Sequence, residues 1–319
     1  MHRQTTKLAS RFPRGKRFAR KAERLGYATT YELHDRLLSN RTSRRRYAAS
    51  SPQLDDLQQT ALSALEADGC AVLSFSDLIG DRGLADAVLC RGDEFVVETD
   101  RGLEQAGDGD AQLHRRAGKE YVIRAHDREG EPLGLDDPWF RAAISDRLLG
   151  LANAYLRMWS KLSYVDFWYT VPQSESSERT ASQLWHLDFD DRHLLKAFLY
   201  LSDVDAGAGP FEYVPGSQPR GRYGDIWRWT PLGTARVPEE EVSRRVPADE
   251  IRTFTAPRGT LILCNTSGLH RGGFATAKPR VLAAATFCSP ASLAALSLRN
   301  YVVKDISAIT SPAARFAVT

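Results

Sequence analysis

Trp185-His186-Leu187-Asp188 is the stretch from which the rest of the chain is read. In an extended strand, residues i and i+2 share a face. His186 and Asp188 then point one way and Leu187 the other. An imidazole nitrogen and a carboxylate oxygen are two legs of a site for a divalent first-row metal. A second histidine would complete the 2-His-1-carboxylate set of non-haem iron, which leaves three adjacent positions open. In a chain with 7 histidines and abundant aspartate, one His-x-Asp carries little weight by itself, and a surface strand would look the same.

The weight comes from downstream. Gly259-Thr-Leu-Ile-Leu-Cys264 reads as a strand that brings His270 to the mouth of a barrel, and the turn Arg271-Gly272-Gly273 follows. Arg280 then opens the next strand, Val281–Phe287. The expectation is that two adjacent antiparallel strands present His270 and Arg280 to one cavity. A guanidinium fork holds a carboxylate through two parallel hydrogen bonds, which a lysine does less well.

Around this centre the chain changes texture. Near Ser51-Pro52 a helix begins, with Leu54, Leu57, Ala61, Leu62 and Leu65 at helical spacing, and Gly69 stops it. Cys70–Phe75 reads as a strand, as do Phe95-Val96-Val97 and Tyr121-Val122-Ile123. Gly102–Gly118 reads as a loop, and His114 and His126 as surface or satisfied histidines with no partner spacing. Asp136-Asp137-Pro138 starts a helix expected to run to about Met158. After it come short β-prone runs, Tyr164–Val171, Leu194–Leu201, Phe211–Val214, Thr260–Cys264 and Val281–Cys288, separated by Gly/Pro turns. Helices first and serial strands later suggest an antiparallel sandwich or barrel braced by helices.

The 319 residues, 42% hydrophobic and 26% charged, have ordinary soluble composition and suffice for one large domain or two small ones. No apolar run reaches the roughly 18–20 residues of a membrane helix, and the N-terminus lacks the apolar core of a secretory signal. Four cysteines without CxxC spacing form neither a zinc site nor a disulfide framework, so a reducing, cytoplasmic setting is expected. Cys264 and Cys288 read as small core residues.

Residues 1–50 carry 14 Lys/Arg against 3 Asp/Glu, net +11, while the whole chain is +3, which leaves 51–319 at −8. Within the arm, Arg11–Leu25 and Thr29–Leu38 read as helices and Arg41–Arg46 as a charged linker. The division expected is a basic extension over 1–50 and one domain over 51–319. The arm suits nucleic acid, an anionic surface or an acidic carrier. It lacks the interleaved aromatics of a base-stacking surface, so a mobile solvated tail that folds back on the acidic body is preferred. Oligomeric state is not readable.

Trp185-His-Leu-Asp188, Phe198-Leu-Tyr-Leu-Ser-Asp-Val204, Gly209-Pro-Phe-Glu-Tyr-Val-Pro-Gly-Ser217, Gly268-Leu-His-Arg-Gly-Gly273 and Lys278-Pro-Arg280, in that order, resemble the phytanoyl-CoA dioxygenase family. The resemblance spans about residues 160–290 and extends back to 55, where a helix and a strand match the family's opening. It does not cover 1–50. It implies a mainly β fold with supporting helices (α+β) around a double-stranded β-helix (jelly roll/cupin-like) core. It also implies Fe(II), 2-oxoglutarate as cosubstrate and O2, with release of succinate and CO2. By position, His186, Asp188 and His270 become the metal ligands and Arg280 the anchor of the distal carboxylate. Phe198 falls where the family places an aromatic beside the cosubstrate, and Lys196 shares its face. Tyr169, on the strand before the metal loop, is a candidate pocket residue as well as a candidate core tyrosine. His193 is left out because the triad is complete.

Related halogenases have Gly or Ala where this chain has Asp188, so the carboxylate favours hydroxylation, with desaturation, epimerisation or demethylation as alternatives. Two positions depart from the family: Asn265, where many relatives are acidic, and Gly272, where they carry Ser or Thr that contacts the cosubstrate. The implied partner is a small molecule: a natural-product intermediate, an acyl-CoA or carrier-bound acyl chain, or a sugar. The segment Arg220–Asp249, with Trp227 and Trp229, is expected to cover its pocket. The competing readings are a nucleic-acid oxygenase that uses the basic arm and a metal-binding sandwich without turnover.

Overall fold

The structure is a computed structural model, and it describes residues 26–107, 115–116, 118–125, 133–230, 235–297 and 299–319. The helix expected over Arg11–Leu25, and His114 and His126, lie outside these residues.

In chain order the helices are α1 (26–36), α2 (Ser39–Ala49), α3 (Asp56–Asp68), α4 (Phe75–Ile79), α5 (Arg82–Gly107), α6 (Pro138–Ala143), α7 (Asp146–Leu156), α8 (Glu239–Arg245), α9 (Leu293–Leu296) and α10 (Pro312–Val318). The strands are β1 (Cys70–Ser74), β2 (Arg115–Arg116), β3 (Lys119–Arg124), β4 (Lys161–Thr170), β5 (His186–Leu187), β6 (Leu194–Tyr200), β7 (Phe211–Tyr213), β8 (Ala235–Arg236), β9 (Arg252–Phe254), β10 (Thr260–Cys264), β11 (His270–Arg271) and β12 (Arg280–Cys288). They form two antiparallel sheets, ordered β1-β10-β6-β12-β4-β3-β2 and β8-β5-β11-β7-β9. Two facing antiparallel sheets, one backed by helices, make a helix-braced double-stranded β-helix.

Period-2 alternation decides which side chains reach the space between the sheets. On β6, Leu195, Ala197 and Leu199 join the helix-side core, while Phe198 and Tyr200 join the core between the sheets. On β12, Val281, Ala283, Ala285 and Phe287 face the helices, and Leu282 and Ala284 face inward. Val165, Phe167 and Tyr169 of β4 also lie on the helix side.

Several local expectations change. Phe95-Val96-Val97 is not a strand but part of α5, which also takes in residues 102–107 of the expected loop. Ala85, Val88 and Phe95 recur at helical spacing and are buried in the helix-side core, so packing overrides the β-propensity of the triplet. α3 starts at Asp56 rather than near Ser51: the Asp55 carboxylate accepts from Gln58 N at 2.9 Å and the Gln58 amide oxygen from Asp55 N at 3.1 Å, a capping box. The helix expected from Asp136 to Met158 is two helices, because Ser145 caps a second start, α7.

Arg41–Arg46 is not a linker but lies within α2. α1 and α2 dock on the body. The buried Tyr31 donates to Asp191 Oδ1, Arg192 pairs with Asp35, and Asn40 Oδ1 accepts from Ala291 N at 3.0 Å. All four cysteines are free; Cys70, Cys264 and Cys288 are buried and Cys90 is exposed. No described helix is long and apolar enough to cross a membrane.

Candidate metal centre

β5 and β11 are neighbours in the smaller sheet, and their register sets His186 directly opposite His270. Their ring centroids are 4.2 Å apart. Asp188 follows β5 and is fixed by its backbone N–H, which donates to Thr266 O at 2.9 Å. One donor atom from each of His186, Asp188 and His270 lies within 4.8 Å of the others.

Both imidazoles are oriented by the backbone two residues earlier. His186 Nδ1 donates to Leu184 O at 2.8 Å, and His270 Nδ1 donates to Gly268 O at 2.9 Å. A carbonyl can only accept, so Nδ1 carries the proton and the Nε2 lone pairs are free. Those Nε2 atoms lie 3.8 and 3.5 Å from the Asp188 carboxylate. Burial pulls both histidines down, His186 to about 3 with help from His270, so each is neutral at neutral pH. Burial would raise Asp188, but the Lys196 ammonium beside it holds it well below the carboxylate range. The donor set is two neutral nitrogens and one anionic oxygen, which suits a divalent first-row metal.

The triad lines a cavity of about 300 Å³. Arg280 lines it too, from the start of β12. It is 7% exposed; Nη1 donates to Gly209 O, and Nε has no hydrogen-bond partner. No ion pair joins it to an acid among the described residues. A buried guanidinium without a counter-charge is a cost that an anionic ligand would remove.

His270 and Arg280 do share a cavity, but not by the expected route. β10 and β12 are not adjacent, since β6 lies between them, and His270 belongs to the other sheet. Phe198 and Lys196 line the cavity as expected. Phe198 packs against Phe211 and Trp168, with ring centroids 5.3 and 6.1 Å apart. Lys196 Nζ lies 2.7 Å from Asp188 Oδ2 and 3.1 Å from Asp190 Oδ2.

Tyr169 takes the core reading, and its candidacy as a pocket residue is corrected. It shares the phase of Val165 and Phe167, packs in the helix-side core, and donates to Asp100 Oδ1 at 2.8 Å. The cavity face of β4 is instead Tyr164, Trp168 and Thr170. The alternation in Tyr164-Val-Asp-Phe-Trp-Tyr-Thr170 carried that phase, with Asp166 on the face opposite Val165 and Phe167.

Arg124, Asp166 and Tyr164 were also missed; they form one network. Arg124 Nε donates to Asp166 Oδ2 at 2.7 Å, and Tyr164 O–H donates to the same oxygen at 2.5 Å. Burial pushes the Asp166 carboxyl up to about 6. The segment Arg220–Asp249 does not cover this cavity as a whole. Arg236 alone of its described residues lines it, while Arg220, Trp227 and Trp229 line a separate cavity of about 920 Å³.

Gly272 was flagged for its missing hydroxyl. A Cβ there would stand 3.6 Å from Arg280 Nη2 and 3.9 Å from Ser182 Oγ. Ser182 Oγ itself meets Tyr121 Oη at 2.9 Å. Two hydroxyls from other elements therefore line the same cavity as the guanidinium.

No family model and no characterised protein sequence matches the chain. Among solved structures it is similar to the epimerase SnoN in complex with Fe3+, alpha-ketoglutarate and nogalamycin RO, at 18% identity over 73% of this chain and 83% of that one, TM-score 0.45. It is also similar to EctD from S. alaskensis with bound Fe, at 18% identity over 75% and 80%, TM-score 0.47. A third is HygX from Streptomyces hygroscopicus with nickel, 2-oxoglutarate and hygromycin B, at 16% identity over 74% and 88%, TM-score 0.45.

Proposed function

We propose that the chain is an Fe(II)- and 2-oxoglutarate-dependent oxygenase of the phytanoyl-CoA dioxygenase type that oxidises a small molecule. One observation carries the reading: a buried His-Asp-His set with both Nε2 atoms free shares a cavity with a buried guanidinium that pairs with no acid among the described residues. A structural metal site has no use for such a cation.

His186, Asp188 and His270 would hold Fe(II), and the ion with 2-oxoglutarate and O2 would supply the oxidising power for C–H cleavage. The protein's own part is placement. Arg280 offers a fork to the distal carboxylate, and the hydroxyls of Tyr121 and Ser182 line the same cavity, where Gly272 has no hydroxyl of its own. Trp168, Phe198, Phe211 and Leu282 give the cavity apolar walls that exclude water. Asp188 occupies the position that a halogenase leaves vacant, so oxygen transfer, with hydroxylation as its simplest outcome, is the reaction class. Arg124 and Tyr164, braced by Asp166, are polar groups available to orient a substrate.

The test is succinate formation from 2-oxoglutarate. It is expected to require Fe(II) and to stop in Asp188→Ala; full turnover in that variant would sink the assignment.

A further inference from the structure

Lys196 lies on β6 of the larger sheet, yet its ammonium reaches the acids that follow β5 in the smaller one. Its side chain is 13% exposed, and Asp188 and Asp190 are 16% and 21% exposed. An ammonium has three donors and no acceptor. One of them is committed to Asp188 Oδ2 at 2.7 Å. Oδ1 lies 3.8 Å from His186 Nε2 and the held Oδ2 lies 3.5 Å from His270 Nε2, so both oxygens face the histidines and only the lysine distinguishes them.

We propose that Lys196 is a positioning residue that restricts Asp188 to one-oxygen ligation and so keeps an additional coordination position open for reactants. This rests on the reading of His186, Asp188 and His270 as metal ligands. A carboxylate freed of its partner can chelate a cation through both oxygens. Chelation would take one of the about three positions that a 2-His-1-carboxylate set leaves open. Metal affinity would not report this cleanly. Removing the lysine takes away a cation that repels the metal, and it also takes away the hydrogen bond that orients the ligand. The count of exchangeable waters on the metal separates the two effects.

The experiment uses the full chain loaded with Mn(II) and free of 2-oxoglutarate. Bound exchangeable water is counted from the broadening of the Mn(II) resonance in oxygen-17 water. The wild type is expected to show about three such waters. Lys196→Met is expected to lose one, and Lys196→Arg, which restores a cationic donor, to keep all of them. Lys196→Gln keeps a polar head but shortens the reach; it is expected to behave like the methionine variant and carries the test if that variant does not fold. An unchanged water count in Lys196→Met, or in Lys196→Gln where it stands in, overturns the proposal and leaves the metal reading intact. Failure of the wild type to bind one Mn(II), or Mn(II) binding that survives His186→Ala, overturns the metal reading itself.

Discussion

Among the described residues Arg280 meets a backbone carbonyl and nothing acidic, which is an unusual place for a buried charge. If it exists to hold an anion, replacing it should reveal a conflict between stability and binding. Arg280→Met is expected to leave the melting temperature of the ligand-free protein unchanged or raised, while 2-oxoglutarate affinity collapses. A melting temperature several degrees lower would mark the guanidinium as structural. Arg280→Lys keeps the charge but loses the fork. A charge-assisted pair is worth about 1.5–3 kcal/mol, so its affinity, measured by calorimetry with the non-turnover metal Mn(II), should fall by about 10–150-fold. At this scale the sequence was most legible: His186, Asp188, His270 and Arg280 are chemically distinctive and occur in a fixed order. Tyr121 and Ser182 were not legible, because a hydroxyl supplied from another element leaves no local pattern.

Among the elements, strand phase explains both a success and an error. Lys196 and Phe198 share the inward phase of β6 and reached the cavity; Tyr169 has the outward phase of β4 and did not. Tyr169→Phe should therefore leave 2-oxoglutarate affinity untouched. It should cost only the hydrogen bond to Asp100, about 0.5–1.5 kcal/mol in thermal or denaturant unfolding. A large loss of affinity would place the ring at the site after all. The turn between β11 and β12 is held differently. A Cβ on Gly273 would sit 2.1 Å from Pro210 O, and the preceding residue of that strap, Gly209, gives its carbonyl to Arg280. Gly273→Ala forces backbone apart and should cost at least the upper end of the about 1–3 kcal/mol typical of overpacking, with Arg280 displaced as a consequence. Retention of wild-type stability would contradict that close approach. The error over residues 95–97 has another cause. A β-branched pair beside an aromatic reads as strand locally, and only the spacing of Ala85, Val88 and Phe95 across α5 shows the helical face.

Across the whole molecule, the basic arm is only partly an arm, since α1 and α2 are packed on the body through Tyr31, Asp35 and Asn40. Contacts of this length in sequence cannot be read from composition, which is why charge and the lack of interleaved aromatics suggest no more than a tail folded back on the acidic body. Burial pushes the Asp35 carboxyl up, but hydrogen bonds from His193, Asn40 and Arg192 pull it down harder, well below the ordinary range. A depressed carboxyl stabilises the fold above its unfolded pKa of about 3.9, and that contribution is lost as pH falls below it. Asp35→Asn should lower stability near neutrality by about 1.5–3 kcal/mol and flatten the acid limb of a melting-temperature profile below about pH 4. An unchanged acid limb would mean that Asp35 does not hold the helices down. The proposed metal and cosubstrate share the cavity between the two sheets, so the account is tested most directly there. Fe(II)-loaded protein is titrated with 2-oxoglutarate without oxygen, and the visible charge-transfer absorption of the chelate is followed. The account predicts a band that saturates at one equivalent, is lost in Asp188→Ala, and needs far more 2-oxoglutarate in Arg280→Met. No band in the wild type, or a band indifferent to both substitutions, would contradict it.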